Sequence, residues 1–148
     1  MPYLRITCPD LTAEQRKAVA TRLTDAVVDL FYNPRAPVTR DQLRERTTIH
    51  FMTYADNQLF IGGRSPTERG TPDLTVELSD WNMSVRLQRR LARMLTPILA
   101  ELFEISSDNI DQVNIRFHPY PPTNFAVGGR LLSDQVPRIG RLMKWLAG

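Results

Sequence analysis

The chain has 148 residues, 42% hydrophobic and 24% charged, with a formal net charge of +3, which is the make-up of one ordinary globular domain. Basic and acidic residues are interspersed and no aromatic–basic motif occurs, so a nucleic-acid partner is not expected. No apolar run approaches the ~18 residues of a membrane span, no signal-peptide pattern is present, and the lone Cys8 suits a reducing compartment; a cytoplasmic protein is expected.

Pro2 opens the chain order. A small residue after the initiator permits removal of Met1, which would expose a proline whose nitrogen is a secondary amine rather than an amide. Alpha-amino groups titrate near ~7.7–8.0, and an apolar pocket lowers that by disfavouring the charged form. Such an amine can carry protons near neutrality without a histidine or a metal.

Alternation predicts a first strand over residues 2–8, with Cys8 packing in the core at its end. Thr12 with Gln15 three residues on forms a capping box for a helix over 13–32. That helix carries an apolar stripe of Val19, Leu23, Ala26, Val27, Leu30 and Phe31, and ends at the Pro34 and Pro37 segment. A short helix over 41–46, a strand over 47–54 and a brief return over 59–61 lead to Gly62-Gly63. A junction rich in Ser, Pro, Thr and Gly covers residues 64–71.

The second half repeats the first. Its strand is expected over 74–78 and its helix over 84–104, burying Leu87, Leu91, Leu95, Ile98, Leu99 and Leu102, with a kink expected at Pro97. A strand over 112–117 and a short segment over 125–127 then reach Gly128-Gly129. LTDAVVDLF ending at Phe31 is echoed by LTPILAELF ending at Phe103, and Ile61-Gly62-Gly63-Arg64 by Val127-Gly128-Gly129-Arg130. Pro72-Asp73-Leu74-Thr75-Val76 reads as the echo of Pro2-Tyr3-Leu4-Arg5-Ile6, which places Pro72 at the position of Pro2.

These elements predict an α+β fold: two tandem β-α-β units, residues 2–64 and 71–132, making a four-stranded mixed sheet with both helices on one face. The other face is expected to be apolar and to drive oligomerisation. Residues 133–148 are expected to form a C-terminal helical extension, with Val136, Ile139, Leu142, Met143 and Leu146 at near-helical spacing. The whole reads as a single compact domain.

An N-terminal proline, LTAEQRK opening the first helix, and a strand leading to Leu59-Phe60-Ile61-Gly62-Gly63 resemble the tautomerase superfamily. With the second copy at Phe125-Ala126-Val127-Gly128-Gly129, the chain looks like a fused, duplicated 4-oxalocrotonate tautomerase. The resemblance implies a homotrimer with one active proline per chain, since an internal proline such as Pro72 has an amide nitrogen. It implies a cofactor-independent isomerase in which Pro2 is the general base for a 1,3-proton transfer on a small acidic enol or 2-keto substrate.

It also implies a carboxylate-binding arginine on the strand after the helix, supplied by an adjacent unit. Counting back from the Gly-Gly turns, that position is Arg116 in the second half and His50 in the first, where His50 could hydrogen-bond a carbonyl or enol oxygen. Phe125 matches the family aromatic that lines the pocket. The second family arginine, just before the first helix, is replaced here by Pro9-Asp10-Leu11; Arg130 or Arg64 after the Gly-Gly pairs could substitute, and Trp81 could line the pocket.

Two other readings stay open. One is a non-catalytic or divergent protein of the same fold. The other is hydratase or dehalogenase-type water addition to an unsaturated acid. In the dehalogenase pattern the histidine position is held here by Val27, the glutamate position by Val127 and the tyrosine position by Arg116, so its water-activating base is missing. With two histidines and one cysteine in the chain, no metal-ligand cluster is evident and neither metal nor cofactor is expected.

Overall fold

The computed structural model describes residues 1–135. Four strands form one sheet in the order β2-β1-β3-β4, where β1 is Tyr3–Pro9, β2 Thr48–Tyr54, β3 Leu74–Trp81 and β4 Val113–Tyr120. β1 runs parallel to β2 and β3 parallel to β4, while β1 and β3 pair antiparallel at the centre. Each parallel pair is bridged by a long helix, α1 (Ala13–Phe31) in the first half and α4 (Val85–Leu102) in the second. The other α-helices among the described residues are one or two turns long: α2 (Arg40–Glu45), α3 (Pro66–Arg69) and α5 (Leu132–Gln135). A two-stranded ribbon of β5 (Ala126–Val127) and β6 (Arg130–Leu131) carries the second Gly-Gly turn.

Local chemistry accounts for these elements. Thr12 accepts a hydrogen bond from the Gln15 amide while the Gln15 side chain accepts from the Thr12 amide, so the capping box starts α1 where the sequence places it. Ser84 caps α4 by accepting from the Leu87 amide. Pro97 lies inside α4, which continues to Leu102. Gly128 and Gly129 have φ of +57° and +78°, a pair of left-handed positions that makes a two-residue hairpin turn and that side chains with a β-carbon resist. Gly62 and Gly63 repeat that geometry, closing an isolated bridge between Ile61 and Arg64 in place of the short strand expected over 59–61.

The core lies between the helices and one face of the sheet. Leu4, Ile6 and Cys8 of β1 and Leu74, Val76 and Leu78 of β3 are fully buried against Leu23, Val27, Leu91, Leu95 and Leu99. Cys8 is buried as predicted, and burial pushes its thiol up to about 11, which keeps it protonated and unreactive near neutrality. The arginines at 86, 89, 90 and 93 line the exposed side of α4. Among the described residues no helix is long and apolar enough to cross a membrane.

Two expectations are corrected. The open face of the sheet is mostly polar: the residues that alternate with the buried ones include Tyr3, Arg5, His50, Glu77, Arg116 and His118, with Met52 as an exposed apolar member. Arg5 pairs with Glu77 at 2.6 Å and holds that carboxyl below the usual range, and His118 Nε2 lies 3.4 Å from the same carboxylate. The second correction concerns the repeat. Its helices align Leu23 with Leu95, its N-caps align Thr12 with Ser84, and the ladders pair Tyr3 with Thr48 and Thr75 with Asn114. In that register Pro2 corresponds to Leu74, not Pro72, which precedes β3 in the connecting loop. A shift of two residues preserves strand parity, which is why the alternation alone did not separate the two alignments. The predicted C-terminal helix lies outside the described residues beyond Gln135.

Tyr54 at the end of β2 closes the far end of the sheet. Its hydroxyl donates to the Asp73 carbonyl at 2.7 Å and accepts from the Asp73 amide at 3.0 Å, and burial pushes its ionisation up to about 12. Because the folded-state value lies above the unfolded one, this residue's contribution to stability is intact below pH ~10 and is lost as pH rises toward 12. Chemical denaturation between those limits should show a loss of about 2–3 kcal/mol from this group, a loss that Tyr54→Phe removes.

Candidate active site

Pro2 sits at the start of the central strand β1 and is fully buried, and its carbonyl accepts the Thr48 amide at 3.0 Å from β2. The antiparallel register that pairs Tyr3 with Ser79 puts Asp80 of β3 opposite Pro2. Asp80 follows Leu74, Val76 and Leu78 on the core-facing side of its strand and is 0% exposed. The amine at the head of the chain, Met1 N, is 2.5 Å from its Oδ1. A carboxylate in such a place is costly unless paired, and a cationic amine is an effective partner.

β4 ends at the same level. Tyr120 pairs in register with Trp81, and its ring lies 5.8 Å from that of Phe125. Burial pushes the Tyr120 hydroxyl up to about 12, with the Asp80 charge adding to the effect, so it remains a neutral donor at physiological pH. Asn82 adopts positive φ (49°) and donates its amide to the Tyr120 carbonyl at 2.9 Å, turning the chain from β3 into α4. This end of the sheet therefore gathers Pro2, Asp80, Trp81, Tyr120 and Phe125.

The other sequence-nominated residues lie elsewhere. His50 is exposed on the open face with its Nδ1 2.7 Å from the Tyr3 hydroxyl, one residue beyond Pro2. Arg116 is paired in register with Glu77, about three residues along and two strands across from Pro2, roughly 14 Å away and on the opposite face. It lines an open-face cleft of about 560 Å³ together with Arg69, Asp73, Thr75 and Asn114. Arg130 is exposed on β6, and Arg64 is exposed and donates to the Glu68 carbonyl. One chain thus brings Phe125 and Trp81 to the Pro2 end but not Arg116, Arg130 or Arg64.

Asp80 and Tyr120 were not nominated from the sequence. Asp80 had a readable signal, a charged residue on the buried parity of an otherwise apolar strand. Tyr120 had a weaker one, its place in the second half matching Tyr54 in the first. Among the described residues no group of His, Cys, Asp and Glu could hold a metal ion.

Neither a protein-family model nor a curated relative matches the sequence. Solved structures do match. Native fused 4-OT superposes with a TM-score of 0.72 at 18% identity, over 89% of this chain and 97% of that one. The chain has the fused 4-OT fold. Pt0534 inactivated by 2-oxo-3-pentynoate is similar as well, with a TM-score of 0.70 at 20% identity over 90% of this chain and 98% of that one. So is N1, a member of the cis-3-chloroacrylic acid dehalogenase family, with a TM-score of 0.67 at 20% identity over 98% and 90%. Fused 4-OT structures of this fold include asymmetric and symmetric trimers.

Proposed function

We propose that this protein is a cofactor-independent tautomerase that moves a proton between oxygen and carbon of a small enol or 2-keto acid, with Pro2 as its general base after loss of Met1. The observation that carries the reading is the place of Pro2: a buried proline at the head of the central strand in a fused 4-OT fold, at the sheet end that also holds Phe125 and Trp81. The Pro2 nitrogen takes the enol hydroxyl proton, the electron pair closes the carbonyl, and the carbon next to that carbonyl takes the proton back, a 1,3-transfer. Charge develops on oxygen and carbon in turn, so one amine at the correct distance serves both transfers.

The substrate carboxylate needs a cation, and Arg116 of the same chain is too distant. In a homotrimer a neighbouring chain presents Arg116 to the Pro2 end, as His50 presents an imidazole near Tyr3; Arg130 and Arg64 on the Gly-Gly hairpins are secondary candidates. The polar open face makes such an assembly dependent on charge pairing, and weaker at high salt, rather than on apolar area. The test is turnover of 2-hydroxymuconate and phenylenolpyruvate followed by ultraviolet absorbance, after mass spectrometry establishes that Met1 is gone. Arg116→Ala should raise KM and lower kcat/KM by about 10- to 100-fold, the worth of a charge-assisted hydrogen bond to a carboxylate. An unchanged KM would remove Arg116 from the site.

A further inference from the structure

A fully buried carboxylate at the core-facing end of β3 requires a reason. Asp80 is fully buried, follows three buried apolar residues on its strand, and has the chain's first amine 2.5 Å from its Oδ1. Pro2, also fully buried, lies directly across from it in the antiparallel register. Directly opposed residues on neighbouring antiparallel strands have their α-carbons only about 4.5–5.5 Å apart. Removal of Met1 would make the Pro2 nitrogen the first amine of the chain, on the residue directly across from Asp80.

We propose that Asp80 is the positioning residue of the Pro2 amine, anchoring it at the sheet end and holding its proton there. The inference rests on the reading of Pro2 as the proton carrier, and it adds the group that governs when that amine is a base. Burial alone favours the neutral amine, whereas a facing carboxylate favours the ammonium. Asp80 therefore moves the base-competent form of Pro2 to higher pH than an apolar pocket would.

The groups around this pair are few in kind. From β4 comes Tyr120, neutral up to about 12. Behind the sheet on the open face are Tyr3 with His50, and beyond them Glu77 with Arg5 and His118. From the helices, the last turn of α1 and the first turn of α4 bring Leu30 and Leu87 into the core. Among the described residues, Asp80 is thus the buried carboxylate on the amine's own side of the sheet.

The experiment is a pH titration of the full chain, free of Met1, with Pro2 labelled in nitrogen-15 and aspartate in carbon-13, read by NMR. In the wild type the Pro2 nitrogen and the Asp80 γ-carbon should step at one shared midpoint. In Asp80→Asn the Pro2 midpoint should fall by about 1–3 pH units, and Asp80→Glu should restore it toward the wild-type value. The rising limb of the kcat/KM profile should move down with it, a change that a merely structural role does not produce. A silent Asp80 carbon across the Pro2 titration, or an unmoved midpoint in a folded Asp80→Asn protein, overturns the proposal; if that variant does not fold, the wild-type carbon signal decides. Coupled titration in a protein that turns over no enol acid supports the Asp80 role while removing the tautomerase reading. Turnover that depends on Pro2 with uncoupled titration does the reverse.

Discussion

Replacing Pro2 with alanine in protein free of Met1 should lower kcat/KM for ketonisation of 2-hydroxymuconate or phenylenolpyruvate by about a hundred- to ten-thousandfold, the usual worth of a positioned general base. Alanine keeps an amine at the chain start but loses the ring that fixes its lone pair, and a short primary amine can turn away from the substrate. The loss should fall on kcat more than KM, because the proton transfer is made only in the transition state. Retained Met1 should be at least as damaging, since it turns the Pro2 nitrogen into an amide with no basic lone pair. Pro72→Ala supplies the control: it lies in the loop before β3, matches no catalytic position in the observed register, and should leave kcat/KM unchanged. Equal rates for wild type and Pro2→Ala, no faster than buffer, would mean that the fold serves another purpose.

The largest effect on stability is expected from Leu95→Ala. Leu95 lies midway along α4, is fully buried, and packs in the core cluster that joins both helices to the sheet. Removing three carbons from such a site costs the transfer free energy plus that of the cavity left behind, about 2–5 kcal/mol. Against a total stability of roughly 5–15 kcal/mol, that is a large fraction. Urea denaturation at fixed protein concentration measures it, and a shift in midpoint without a change in slope identifies a folded-state effect. Arg89→Ala, on the exposed side of the same helix, should shift the midpoint by no more than about 0.5 kcal/mol. A comparable loss from both would contradict the placement of the core.

Much of the fold was legible because its signals are local. Thr12 and Gln15 sit at capping-box spacing, Leu23 and Leu95 recur within matching apolar stripes, and the two Gly-Gly pairs mark hairpins that demand positive φ. Pro2 was legible as a candidate for a chemical reason, since only an N-terminal proline has a basic nitrogen. The polar open face was readable but undervalued: alternation within β1 already places Tyr3, Arg5 and Thr7 opposite Leu4, Ile6 and Cys8. The alignment of Pro72 with Pro2 failed because a strand repeats every two residues, so a two-residue slip keeps every side chain on its face.

By itself, then, the sequence determined the elements, their capping, the buried stripe of each helix and the identity of the proline that can act as a base. These depend on spacing along the chain and on the chemistry of single residues. Which residues surround that proline was decided by the tertiary structure. Asp80 reaches the amine only because β1 and β3 pair antiparallel with Tyr3 against Ser79, and Tyr120 arrives only because β4 runs parallel beside β3. Strand order and register are set by the packing of the whole core, and no spacing within a single segment encodes them.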